Sequence, residues 1–239
     1  MVFLFSRRPR RTDVARPKPR REPVAQVDRV DLAELTPDLL PYLGQAAYVQ
    51  LALFETLGHA VSVAPTAASK VAISRVAALA LAKHHGLAGE IKRLGHEPGP
   101  VMAPFAARID EYARTTHGAD WYEMLVTAYL TAGLLGDFQL QLAQGLSANA
   151  RTRIIPLLSG DDGHALLVDE LRAAIDTNPR LAPRLAMWGR RLVGDTLLIA
   201  RSSLTNIGDS HHNEARLEPA FTELIAAHTR RMDSLGLTA

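Results

Sequence analysis

The sequence predicts an all-α protein built as an antiparallel helical bundle, and three observations predict it. No stretch alternates apolar and polar residues over strand length. Alanine, leucine and valine instead recur at helical spacing in blocks, several of them about 25 residues long. The blocks are separated by short breaks rich in Pro, Gly and Asp, and long helices joined by short turns pack as antiparallel neighbours. No self-similarity of solenoid period is present.

Taken in order, PDLLPYLGQAAYVQLALFETLGHAVSVAP predicts a first long helix over roughly 38–63. Pro65 and Thr66 then break and cap, and roughly 67–95 form a second helix that HEPGP ends. A short helix over roughly 102–115 precedes a third long one over roughly 119–145. Roughly 147–178 continue as a fourth, its start disturbed by Pro156 and by SGDDG. Pro179 ends that run, and roughly 180–206 form a fifth. GDSHHNEA reads as a loop before a last helix over roughly 214–235.

Composition narrows the function classes. The 239 residues contain no cysteine, which excludes disulfides and thiolate metal sites and fits a reducing, cytoplasmic compartment. No apolar run approaches the roughly 20 residues of a membrane span. The opening MVFLF is short and precedes the arginines, the reverse of a secretory signal, so none is expected. Residues 1–22 hold eight basic residues against Asp13 and Glu22, a net of +6, which leaves the rest of the chain at −4 in a total of +2. The segment SRRPRRTDVARPKPRREP cannot bury apolar surface, and residues 1–35 are expected to form a disordered tail ahead of a helical domain over 36–239. Two readings of the tail stand side by side. It contacts RNA, DNA or another polyanion, or it is a solvated extension, since it lacks aromatics on which bases could stack.

Motif searching returns no phosphate-binding glycine loop, nucleophile elbow or zinc-protease signature. The remaining candidates are polar residues on apolar helices. LAKHHGLAG places Lys83, His84 and His85 side by side in the second helix. Adjacent helical residues point about 100° apart, so at most one of the histidines faces the core. The inward one is a satisfied core histidine or part of a metal site. Asp161 and His164 form an Asp-x-x-His pair, whose spacing puts carboxylate and imidazole on one face. The alternative is that Asp161 caps the helix that carries His164. Trp121, Tyr122, Tyr129 and Phe138 recur at helical spacing and read as packing residues. His211 and His212, beside Asp209 and Glu214, read as a solvated loop or a surface metal site. Arg190, Arg191, Arg230 and Arg231 read as a basic patch or as partners of the body's surplus acids.

The chain resembles the ferritin-like fold-containing proteins of actinobacteria, within the broader ferritin-like group that includes di-iron tRNA hydroxylases. The resemblance runs over roughly residues 38–237. It rests on AYVQLALFE in the first helix, MAPF, DWYEMLVTAYL and GDF in the third, the Gly163-His164 pair, RLAMWGRRLVGDTL and AHTRRMDSLGL. It implies a ferritin-like antiparallel four-helix bundle with additional C-terminal helices. It also implies a di-metal pattern: Tyr-x-Glu on the first helix, Glu-x-x-His on the second, an acid within Ala-Tyr-x-x-Asp-Gly on the third and Asp-x-x-His on the fourth. Laid on this sequence, those positions become Gln50, the pair Ala82 and His85, Ala132, and the pair Asp161 and His164. A register shifted by one gives Leu81 and His84 in the second helix.

On that alignment three of the four carboxylates are missing. Glu55 and Asp137 lie about 140° around their helices from the lost positions, and Glu123 about 180°, so none is expected to substitute. The expected residual ligand set is His85, Asp161, His164 and the neutral amide of Gln50, with His84 turned outward beside Lys83. Two function classes follow. The first is a ferritin-like structural or interaction module with an eroded di-metal site and no resident metal. The second is an iron- or manganese-dependent oxidase or hydroxylase related to the tRNA-modifying enzymes. Assembly of the bundle as a homo-oligomer is compatible with either.

Overall fold

The structure, a computed structural model, describes residues 32–202, 204 and 210–238, the backbone alone over 210–217. The described chain is helical throughout. A short 3-10 helix, Leu32–Leu35, leads into α1 (Leu39–Ser62), α2 (Ala67–Arg93), α3 (Pro98–Thr115) and α4 (Trp121–Ala143). The chain continues through α5 (Ala148–Leu158), α6 (His164–Thr177), α7 (Leu181–Ser202) and α8 (Ser210–Ser234).

Local chemistry sets these boundaries. The Thr66 hydroxyl accepts the Ser69 N–H at 3.0 Å and starts α2. The Asp120 carboxylate accepts the Tyr122 and Glu123 N–H groups, each at 3.0 Å, and starts α4. Each such bond satisfies a donor that the first helical turn leaves free, a contribution of about 1 kcal/mol. Gly95, at φ 84°, turns the chain after α2 in a conformation that a side chain would strain.

Four helices form a ring in which each packs on the next: α1 on α2, α2 on α6, α6 on α4 and α4 on α1. This is the four-helix bundle. α3 lies along α1, and α7 and α8 cover the far side of α4. α4 is therefore enclosed on nearly every side, and it is apolar nearly all round, as an interior helix must be. Its Leu125, Leu130, Leu134, Phe138 and Leu142 are almost fully buried. Burying each such side chain contributes roughly 1.5–3 kcal/mol before entropy is counted.

Three expectations change. The expected fourth helix is two: α5 ends at Leu158 and α6 starts at His164, because SGDDG supplies a break and Gly163 takes a left-handed φ of 70°. The histidine pair 211–212, expected in a loop, lies in the first turn of α8. The packed core also takes in residues before 36, since Leu32 and Leu35 are buried in it. The rest of the basic N-terminal segment lies outside the described residues.

Candidate functional site

A cavity of about 220 Å³ opens in the middle of the ring. α1 turns Gln50, Leu53 and Leu57 toward it, and α2 turns Val76, Ala80 and Lys83. Both sets follow helical spacing of three and four, which keeps one face in register. α4 contributes Ala132, Gly133, Gly136, Asp137 and Gln139, and α6 contributes His164 and Leu167. Ser159, Gly160 and Asp162 of the α5–α6 turn stand at its mouth, and Arg231 enters from α8.

Five charged or titratable side chains give the cavity its chemistry, besides the neutral Gln50, Gln139 and Ser159. Lys83 Nζ donates to the Leu158 carbonyl at 3.0 Å. Burial pushes its pKa below the usual lysine value, and the Asp162 and Asp161 carboxylates pull partly the other way. Arg231 donates from one terminal nitrogen to Asp137 Oδ2 at 2.8 Å. His164 Nδ1 lies 3.0 Å from Asp162 Oδ2, and its ring stands edge-on to Tyr129 with centroids 5.0 Å apart. Burial lowers the His164 pKa, with Asp162 opposing and Arg231 and Lys83 adding to the depression.

Gly133 makes room for Arg231. A Cβ at that position would overlap the Arg231 Nε, Cδ and Cζ atoms. Next to it, Ala132 also lines the cavity without filling it. The arginine side chain therefore runs across the part of α4 where the resemblance puts a carboxylate.

The structure brings together some of the expected residues and not others. Gln50, Ala132 and His164 line the cavity. His85 and Ala82 do not, because both are exposed. His84 is the buried member of the pair, and its Nδ1 lies 2.9 Å from the Ala47 carbonyl, a satisfied core histidine. The residue that α2 turns into the cavity is Lys83, so the i, i+3 pair on that face is Ala80 and Lys83 in neither of the expected registers. Asp161 is exposed too, and its Oδ1 accepts the Gly163 N–H at 2.9 Å. It shapes the turn before α6, and its neighbour Asp162 stands at the cavity instead.

Asp137 is a further correction. It is expected on the wrong side of α4, yet it lines the cavity, because the lining runs from Ala128 to Leu140 and spans both flanks of the helix. Glu123 stays away, as its angle requires: its carboxylate accepts the Ala119 N–H at 2.7 Å and faces Arg184 at 3.4 Å. Of the arginine quartet, Arg231 alone reaches the cavity. Arg190 donates to the Thr238 carbonyl at 2.6 Å, and Arg191 lies 4.0 Å from Asp195.

This donor set does not match a di-metal centre. Two divalent ions bring four positive charges, and Lys83 and Arg231 would add two more beside them. Both cavity carboxylates already have partners, Arg231 and His164. Among the described residues no three His, Asp or Glu side chains are grouped to hold a metal ion. No described helix is long and apolar enough to cross a membrane.

A family model described as "Ferritin-like domain, actinomycetes" matches residues 34–206, well over half of the chain. The match stops before α8, so Arg231 reaches the cavity from beyond the matched segment. No curated protein matches the chain.

Proposed function

We propose that this chain, which belongs to the actinomycete ferritin-like domain family, keeps a polar cavity at the bundle centre in place of a di-metal site and works as a binding or structural module. The observation that carries this reading is the pair of cations, Lys83 and Arg231, in one cavity with Gln50, Ala80 and Ala132. Gln50 and Ala132 stand where the resemblance expects acids, and Ala80 is the neutral residue one turn before Lys83 on the same face. A buried ion needs counter-charges close by, and an uncompensated one costs several kcal/mol. Lys83 and Arg231 raise that cost for any metal in the same space.

The test is metal content. The full chain, produced in medium supplemented with iron and manganese, should purify with well below one equivalent of either metal. Its melting temperature should not move when Fe²⁺ or Mn²⁺ is added, because a ligand that binds only the folded state must raise it. One or two tightly held metals per chain, with a metal-dependent melting temperature, would overturn the reading in favour of the oxidase or hydroxylase.

A further inference from the structure

Among the described residues, three buried side-chain nitrogen or oxygen atoms have no hydrogen-bond partner: Gln139 Oε1, His164 Nε2 and an Arg231 terminal nitrogen. The three residues come from three helices, α4, α6 and α8, and all three line the same cavity. An unmet buried polar atom costs about 1–3 kcal/mol, so native proteins hold few of them. Three converging on one space form a constellation waiting for a partner.

Their chemistry describes that partner. Arg231 offers only donors, and Lys83 has two ammonium hydrogens left after its bond to Leu158. Gln139 Oε1 is an acceptor. His164 Nδ1 faces the Asp162 carboxylate, so Nδ1 carries the proton and Nε2 is left with its lone pair. Beside the Asp137 and Asp162 carboxylates, which are held by Arg231 and His164, the cavity thus presents two cations with donor hydrogens to spare and two neutral acceptors. A phosphate dianion would satisfy the donors and set its oxygens against the acceptor lone pairs. A carboxylate has the charge for Lys83 and Arg231; on the same molecule an ammonium, with three hydrogens, would meet both His164 and Gln139, and a hydroxyl, with one, would meet one of them. The volume of about 220 Å³ is below the roughly 300–1,000 Å³ of pockets for drug-sized molecules, which restricts the ligand to a few heavy atoms. The exposed Ser159 and Gly160 at the mouth mark the way in.

We propose that the cavity binds a small carboxylate carrying a hydroxyl or amino group, with the carboxylate on Lys83 and Arg231, an ammonium donating to both His164 Nε2 and Gln139 Oε1 and a hydroxyl donating to one of them. The inference rests on the metal-free reading above and names the ligand class of that same cavity.

The experiment titrates the full chain with four probes at neutral pH: lactate, alanine, propionate and inorganic phosphate. Calorimetry and melting temperature are the readouts, and metal content is measured on the same preparation. Lactate or alanine should bind saturably, and which of the two binds tells a hydroxy acid from an amino acid. Propionate, which lacks the donor, should bind roughly tenfold more weakly or worse, because it leaves two buried acceptors unmet. Lys83→Met keeps the aliphatic stem and should lose binding of every carboxylate. Gln139→Leu should keep binding and lose most of the preference for lactate or alanine over propionate. Circular dichroism and melting of both variants verify that they fold. No saturable binding of lactate or alanine, tighter binding of phosphate, or unchanged affinity in a folded Lys83→Met would overturn the proposal. If such a failure occurs in metal-free protein, the metal-free reading stands without it. Stoichiometric metal in the preparation removes that reading itself.

Discussion

Two sides of α4 handle buried polarity in opposite ways. Thr131 and Ala132 are neighbours about 100° apart on the helix, and each looks into a different part of the protein. On the Thr131 side, the Tyr112 hydroxyl sits between Thr131 Oγ1 at 2.5 Å and Thr196 Oγ1 at 2.7 Å, joining α3, α4 and α7. Thr127 bonds the Thr116 carbonyl at 3.0 Å and receives Trp188 Nε1–H at 2.9 Å. All these groups are paired, and the adjoining void is about 30 Å³. On the Ala132 side the cavity is about 220 Å³, and three polar atoms are unpaired. Polarity is common to both sides. Unmet polarity together with space is found on one, and that combination separates a binding site from a structural knot.

The largest effect that would break this comparison comes from filling the cavity side. Gly133→Val should displace Arg231 and disrupt its bond to Asp137, since a Cβ there overlaps the guanidinium stem. Overpacking of this kind costs about 3 kcal/mol, or roughly 6–12 °C in melting temperature for a chain of this size. Gly136→Ala is the matched control. It lines the same cavity with nothing within 4 Å of its Cβ, and removing a mid-helix glycine should be neutral or mildly stabilising. Equal melting temperatures for the two variants would mean that Arg231 does not occupy this path.

A smaller effect sharpens the contrast. Tyr112→Phe should lower stability by about 1–2 kcal/mol, because it takes a partner from Thr131 and Thr196 at once. Gln139→Leu on the cavity side should cost little or even stabilise, as its Oε1 has no bond to lose. Urea midpoints at unchanged slope would measure both. A loss in Gln139→Leu as large as in Tyr112→Phe would show that the cavity side is as fully bonded as the hub.

The bundle was legible in the sequence because its helices are long and their ends carry caps and breakers such as Thr66, HEPGP and Pro179. The inward face of α2 was not. In AASKVAISRVAALALAKHHGLAGEIKR alanine is spread around the whole helix, and alanine is tolerated both inside and outside, so hydropathy draws no sharp stripe. A turn of 100° then decides whether His85, His84 or Lys83 meets the cavity, and Lys83 does. Lysine also hides well: its stem packs among apolar residues while the ammonium finds a polar tip. Arg231 was out of reach for another reason. It lies 98 positions from Gly133 with no fixed spacing, and only the packed α8 shows that the glycine exists to let it pass. Asp161 in place of Asp162 reflects a backbone detail, the left-handed Gly163, which turns one carboxylate to solvent and leaves the other at the cavity.

The smallest expected effect is on the pH dependence of stability, and it separates the two sides most cleanly. His164 on the cavity side and His228, whose Nε2 lies 3.1 Å from the Gly189 carbonyl, are both held below the usual histidine pKa by burial. A histidine depressed in this way takes a proton more readily in the unfolded chain than in the folded one. Its contribution to stability is therefore complete above about pH 6.5 and declines as the pH falls from there through the folded value. Carboxylates titrate about two units lower, so the upper part of the decline belongs to the histidines. The hub of Tyr112 and its threonines has no group that titrates in this range. Urea unfolding between neutral and mildly acidic pH should then show Tyr112→Phe shifting the whole curve down without changing its slope. His164→Gln should flatten the curve, leaving the His228 share. Asp162→Asn should steepen it, because that carboxylate is what pulls the His164 pKa back up. An Asp162→Asn protein with the slope of the natural chain would mean that the imidazole and carboxylate do not interact in the folded state. The proton would then no longer be assigned to Nδ1, and the acceptor role of Nε2 in the cavity would lose its basis.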